Sequence, residues 1–155
     1  MTDVQTDDMF DNRATGSGLD PYEDTCVLFV PTAFIKDGGK SLRDQSPIDV
    51  ADTIVVGFAP GEDPDESTVR VHSGALVSTL RRAAVFNEAV EKGTKDPQDN
   101  GLPKMVIGRL YKDIKNQKKG QATAWALDKV EDEAVISSMR SYALKNFKES
   151  SPFES

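Results

Sequence analysis

The chain has 155 residues, 37% of them hydrophobic, which is enough for one domain of about a hundred residues with flanking segments. Its formal net charge is -7, and its longest apolar runs, at 54–59 and 26–30, are far too short to span a membrane. The acidic N-terminus has no apolar signal-peptide core, so we expect a soluble protein that is neither exported nor anchored to a membrane. The single cysteine, Cys26, excludes an internal disulfide, and with His72 as the lone histidine we expect no metal and no cofactor.

Charge is distributed unevenly along the chain. Residues 1–66 carry 15 acids and 4 bases, whereas residues 67–155 carry 11 acids and 15 bases. Net acidity weakens nucleic-acid binding because phosphate neutralisation dominates affinity, but this asymmetry allows the acids to lie away from a basic groove. Residues 1–24 hold seven of the acids against one base, which predicts a disordered acidic arm. A folded domain is then predicted over 25–148, followed by a C-terminal tail over 149–155.

Hydrophobic periodicity predicts five strands and two helices. Runs of β-branched and aromatic residues indicate strands, and apolar residues at helical spacing indicate amphipathic helices. Turn residues such as those of KDGGK (36–40) and PGEDPDES (60–67) separate the elements. The predicted order is a strand over 25–35 with Pro31 at an edge or a bulge, strands over 50–59 and 68–72, a helix over 74–92, strands over 104–114 and 121–128, and a helix over about 131–148.

This chain order predicts a mainly β fold with α. Five strands with a helix between strands 3 and 4 is the order of the OB fold, a Greek-key barrel that binds oligonucleotides. We therefore predict a five-stranded OB-fold Greek-key barrel with an appended C-terminal helix. A doubly wound parallel sheet fits poorly, because no long helical crossover joins the first strands.

The predicted hairpin of strands 4 and 5 is basic within an acidic protein. Between Lys104 and Lys119 there are six basic side chains and one acid. Lysine and arginine hold phosphates, and unstacked bases lie on aromatic rings, so this hairpin predicts a single-stranded nucleic-acid groove. The alternative is a lysine-rich hairpin that serves solubility and blunts a sheet edge. The predicted nucleic-acid contacts are Arg70, Lys104, Arg109, Tyr111, Lys112, Lys115, Lys118, Lys119 and Trp125.

Trp125 has two interpretations. It alternates with Ala124 and Ala126 and shares a strand face with Leu127, which favours packing in the core. As a member of the basic hairpin it could instead be a stacking platform for a base.

Three segments carry a resemblance to a known family. They are VRVHSGALVSTLRRAA at 69–84, KMVIGRLYKDIKNQKKGQATAWALDK at 104–129, and the EDEAV opening of the last helix. Together they resemble the single-stranded DNA-binding proteins of tailed phages of actinobacteria. The resemblance implies an OB-fold protein that coats single-stranded DNA during phage replication or recombination, largely independent of sequence, in the host cytoplasm and without enzymatic turnover.

The C-terminal tail carries a second, shorter resemblance. Pro152-Phe153 is similar to the end of cellular single-stranded DNA-binding proteins, whose acidic tail docks partners, and this implies docking of replication or recombination proteins. Two residues follow Phe153 and no run of acids precedes it, so an ordinary frayed tail is the alternative.

Exposed edge strands permit a homo-oligomer. The competing function is a non-enzymatic structural or assembly protein of a virion, with a small β-barrel. We expect no enzyme, because neighbours on a strand, such as His72 and Ser73, point to opposite faces and cannot act as base and nucleophile.

Overall fold

The structure, a computed structural model, describes residues 17–40, 45–72, 74–113 and 124–148. Most of the predicted arm (1–16), the loop of the basic hairpin (114–123) and the C-terminal tail (149–155) lie outside this range. The described elements are a 3-10 helix (Ser17–Tyr22), β1 (Thr25–Lys40), β2 (Pro47–Gly57), β3 (Asp65–Val71), α1 (Gly74–Glu91), β4 (Val106–Lys112), β5 (Trp125–Asp128) and α2 (Glu133–Asn146).

The five strands form one antiparallel open sheet in the order β3-β2-β1-β4-β5. The mainly β fold with α is confirmed. The predicted closure into a barrel is not seen, because β3 and β5 are the outer strands and no ladder joins them in the described part of the chain. β1 continues to Lys40 through glycines that predicted a turn, since a register shift between Ile35 and Gly39 absorbs the irregular stretch.

β1 is the central strand, and Pro31 divides it. Its first part, Thr25 to Phe29, pairs with β4, whereas β2 pairs with β1 from Val27 to Lys40. A register shift lies between Pro31 and Ala33, where the sequence predicted an edge position or a bulge. Because proline has no N–H to donate, the ladder with β4 ends just before it.

α1 covers one face of the sheet. Its buried residues follow the helical period predicted from the sequence. Leu76, Val77 and Leu80 belong to one core cluster with inward residues of all five strands. The largest side chains of this cluster are Leu19, Tyr22, Phe29, Leu76, Leu80, Leu110 and Trp125. This face therefore holds the main hydrophobic core.

α2 packs on the opposite face, through a smaller cluster that includes Leu28, Val56, Phe58, Met139 and Ala143. The Asp132 side chain caps α2 by accepting a hydrogen bond from the N–H of Ala134 at 2.9 Å. Leu144 on the same helix is 47% exposed.

Residues 17–24 were predicted to belong to the disordered arm, but they pack against the sheet. Leu19 and Tyr22 are 1% and 3% exposed, and the Tyr22 hydroxyl lies 2.6 Å from Ser67 Oγ on β3. At the other end of the segment, the N–H of Asp24 donates to the carbonyl of Leu110 on β4 at 2.6 Å. The segment thus spans from the β3 edge to β4 across the α1 face.

Gly57 makes room for this segment. A Cβ at this position would lie 2.7 Å from the Tyr22 ring, which is closer than side chains tolerate. The glycine is therefore required for the close approach of Tyr22 to β2.

Replacing Tyr22 by alanine should destabilise the fold by about 3 kcal/mol or more, because removal of a buried aromatic ring leaves a cavity. Tyr22→Phe is the matched control: it keeps the ring and removes only the hydroxyl that bonds Ser67, at a cost of about 1 kcal/mol. Urea unfolding measures both values. A wild-type midpoint for Tyr22→Ala would show that residues 17–24 do not belong to the core.

The docking of α2 should depend on pH through Tyr142. This side chain donates to Glu66 Oε1 at 2.6 Å and contacts the Phe58 ring edge to face, and burial together with that bond raises its pKa to about 12. Since an unfolded tyrosine ionises near pH 10, this contribution is complete below about pH 10 and is lost as the pH rises toward 12.

Tyr142→Phe should therefore reduce the fall in unfolding free energy between about pH 10 and about pH 12. Urea midpoints of wild type and variant across this range test it. Identical pH dependence in the two proteins would contradict the assignment.

Candidate nucleic-acid interface

In the part of the basic hairpin that the structure describes, Arg109 and Lys112 contact acidic side chains. Arg109 lies 2.5 Å from Asp128 and 3.2 Å from Asp24, and its pKa is raised chiefly by the hydrogen bond to Asp128 and further by Asp24. Lys112 lies 3.5 Å from Glu23, and its distance to Asp20 is 3.8 Å. Neither cation is therefore free to meet a phosphate without displacing a carboxylate.

The two aromatic residues of the hairpin differ in exposure. Trp125 is 1% exposed and belongs to the main core, with Lys112 Nζ 5.6 Å from its ring centre, so it is no stacking platform. Tyr111 is half-buried on the opposite face of the sheet, with the Arg109 guanidinium 5.5 Å from its ring centre. The structure resolves the two interpretations of Trp125 in favour of packing.

The remaining predicted contacts are dispersed. Arg70 lies opposite Asp52 on β2 and pairs with both of its carboxylate oxygens, at 2.7 and 3.1 Å, which raises the pKa of the arginine. Lys104 lies before β4, beside α1. Lys115, Lys118 and Lys119 lie outside the described residues. The predicted residues therefore do not form a single groove in the described part of the chain.

A second group of cations surrounds α1. No ion pair joins any of them to a carboxylate of a described residue, and each lies on α1 or in the segment between α1 and β4. We define this group as the α1 basic surface: Arg81, Arg82, Lys95 and Lys104.

The α1 basic surface carries aromatic rings as well. The Arg81 guanidinium lies 4.9 Å from the ring centre of Phe34 on β1. Lys104 and Lys95 lie 4.5 and 5.7 Å from the ring centre of Phe86 on α1. Both rings are half-buried, so each presents a partly covered aromatic face to a cation.

Asn87 positions Lys104. Its Nδ2 donates to the carbonyl of Pro31 at 2.7 Å and to that of Lys104 at 2.9 Å, and its Oδ1 accepts from the N–H of Lys104 at 2.8 Å. These are the backbone groups that would face each other two residues beyond the last β1–β4 pair, Phe29 and Val106. The side-chain amide thus takes the place of the strand pairing that Pro31 interrupts.

Two grooves run along α1, between this helix and residues 97–106, which precede and begin β4. The first has a volume of about 350 Å³ and the second about 340 Å³, and they share Leu102 and Pro103 as a common wall. Thr79 and Arg82 line the first, and Phe86 and Val90 line the second, so both lie along one stripe of the helix. Lys104 lies in the wall of the first groove and above the Phe86 ring of the second.

Sequence reasoning missed most of this surface. Of its four cations, only Lys104 was predicted. A usable signal was present in RRAAVF (81–86), where Arg82 and Phe86 are four residues apart and so share a helix face. The contributions of Phe34 and Lys95 depend on tertiary contacts, which the sequence pattern does not show.

A metal site, a reactive thiol and a membrane span each make requirements that can be compared with the described residues. They contain no group of three or more His, Cys, Asp or Glu side chains that could hold a metal ion. Burial raises the pKa of the Cys26 thiol, which disfavours a reactive thiolate. Within the same residues, no helix has the length and apolar character needed to cross a membrane.

Comparison of the chain with protein-family models, curated proteins and solved structures gives no match.

Replacing Asn87 by alanine should lower stability by about 2 kcal/mol or more, because it leaves the partly buried polar groups of Pro31 and Lys104 without their partner. Asn146→Ala is the control, since that side chain makes one exposed hydrogen bond, to the Tyr142 carbonyl, and should cost less than about 1 kcal/mol. Urea unfolding compares the two. Equal costs would show that Asn87 does not fix this segment.

Proposed function

We propose that this protein binds single-stranded DNA without turning over a substrate. The observation that carries the proposal is the α1 basic surface, where four cations without carboxylate partners among the described residues lie beside two half-buried rings. Cations that track phosphates beside aromatic rings on which bases can stack are the recurring elements of sequence-tolerant single-strand binding. The sequence resemblance to phage single-stranded DNA-binding proteins supports the same function, with a role in replication or recombination in the host cytoplasm.

The proposed path of the bound DNA strand follows the two grooves along α1. Thr79 to Glu91 spans twelve helical steps, which corresponds to about 18 Å of groove. Arg82 and Lys104 would hold phosphates in the first groove, and Phe86 would accept a base at the start of the second. Lys115, Lys118 and Lys119 remain predicted contacts at the hairpin loop.

The fold is compatible with an incompletely closed OB-type barrel. Its strand neighbours, β3-β2-β1-β4-β5, and the chain position of α1 between β3 and β4 support this proposal. Residues 17–24 reach from β3 to β4 across the α1 face. A homo-oligomer is proposed on the basis of the exposed sheet edges.

The test is binding of a labelled oligothymidine to wild type and to a variant with Arg81→Gln, Arg82→Gln, Lys95→Gln and Lys104→Gln. We expect weaker binding by the variant, because it neutralises fewer phosphates and so releases fewer counterions from the DNA. The slope of log affinity against log salt should fall by about 0.7 for each phosphate that the variant no longer neutralises. Fluorescence anisotropy over a range of salt concentrations gives both values.

A matched control carries the same charge change on another part of the chain. Lys129→Gln, Arg140→Gln, Lys145→Gln and Lys148→Gln alter exposed cations on and around α2. Equal weakening in the two variants would indicate a general charge effect and contradict the α1 path. If wild type bound duplex DNA more tightly than single strands, or bound neither, the proposed function itself would be wrong.

A further inference from the structure

Arg109 and Lys112 on β4 are surrounded by more negative than positive charge. Three of the carboxylates come from the segment before β1, namely Asp20, Glu23 and Asp24. The fourth, Asp128, is the cross-strand partner of Arg109. Lys112 lies on the α1 face of β4 beside Trp125, and Arg109 lies on the opposite face beside Tyr111. These four acids oppose the two cations, so the surroundings of both side chains repel a polyanion in the free protein.

The three N-terminal carboxylates are held in place by the core. Leu19 and Tyr22 are buried on either side of Asp20, and the N–H of Asp24 is bonded to β4. Asp24 also has a φ of 59°, a left-handed conformation that the local contacts maintain. The acids therefore cannot move away with the chain as they would on a free arm.

The ion pairs themselves are replaceable. The side chains of Arg109 and Asp24 are 39% and 70% exposed, and those of Lys112 and Glu23 are 32% and 41% exposed. Solvent-exposed pairs of this kind contribute little stability and are screened by salt. A phosphate chain already bound elsewhere on the protein would compete for the same cations at high effective concentration.

We propose that Asp20, Glu23 and Asp24 form an acidic guard that occupies Arg109 and Lys112 in place of phosphate, and so lowers the affinity of this second contact for single-stranded DNA. This inference rests on the proposed function, because the ligand is the same. The guard allows β4 to contact only a DNA strand that is already bound by other cations of the protein. It explains why an acidic protein places carboxylates on the cations of its basic hairpin.

The test neutralises the guard with Asp20→Asn, Glu23→Gln and Asp24→Asn. These changes keep side-chain size, and asparagine tolerates the left-handed backbone at position 24. We expect affinity for oligothymidine at low salt to rise about tenfold, with a steeper salt dependence because two more cations meet phosphates. Glu23→Gln alone should give a smaller rise and serves if the triple variant unfolds.

The control raises the net charge equally elsewhere. Glu62→Gln, Asp63→Asn and Glu131→Gln neutralise three exposed carboxylates that make no ion pair with a described residue. The guard variant should gain more affinity than this control. In a background of Arg109→Gln and Lys112→Gln, the additional gain should disappear, because the cations that the guard covers are gone.

The outcomes separate the two proposals. If wild type binds single strands but the guard variant gains no more than the control, the guard is refuted and the proposed function stands. An excess gain that persists in the Arg109→Gln, Lys112→Gln background also refutes it, since the effect would then act through other groups. If no form of the protein binds single-stranded DNA, the proposed function and the guard both fail.

Discussion

The packing of residues 17–24 across the α1 face is the interaction on which the rest of the structure depends. An open antiparallel sheet exposes two edges, and covering an edge with another segment is one way in which proteins protect it. Here Tyr22 reaches Ser67 on β3, and Asp24 reaches Leu110 on β4, so one short segment joins both halves of the sheet. The same segment completes the core with Leu19 and places three carboxylates on the cations of β4.

Pro31 provides a second constraint. It ends the pairing of β1 with β4, and the amide of Asn87 bonds the groups left on Pro31 and Lys104. This substitution of a side chain for a strand partner opens the space between α1 and the segment before β4. The two grooves lie in that space, and Arg82 and Lys104 of the α1 basic surface line the first of them.

The sequence predicted the elements well because their periods are local properties. Each strand and helix lies within a few residues of its predicted position, and the face shared by Trp125 and Leu127 correctly favoured the core. The sequence did not predict that residues 17–24 are ordered, because this acidic, polar segment is stabilised by contacts with residues that are distant in sequence. The Tyr22 and Ser67 side chains, for example, are 45 residues apart.

The candidate site was harder to predict for an electrostatic reason. Counting charges along the chain identified the basic hairpin, but affinity for phosphate depends on which cations are already paired. Arg109 is paired with Asp24, 85 residues away, whereas Arg82 and Lys104 have no carboxylate partner among the described residues. Only the tertiary structure distinguishes these two kinds of cation.

The central claim is that single-stranded DNA binds along α1. Mapping of backbone amide chemical shifts by NMR tests it most directly. Labelled wild-type protein would be titrated with oligothymidine. The account predicts shifts concentrated at residues 79–91 and 97–106, which line the two grooves. Shifts concentrated around Asp52 and Arg70 on β2 and β3, with none along α1, would contradict it.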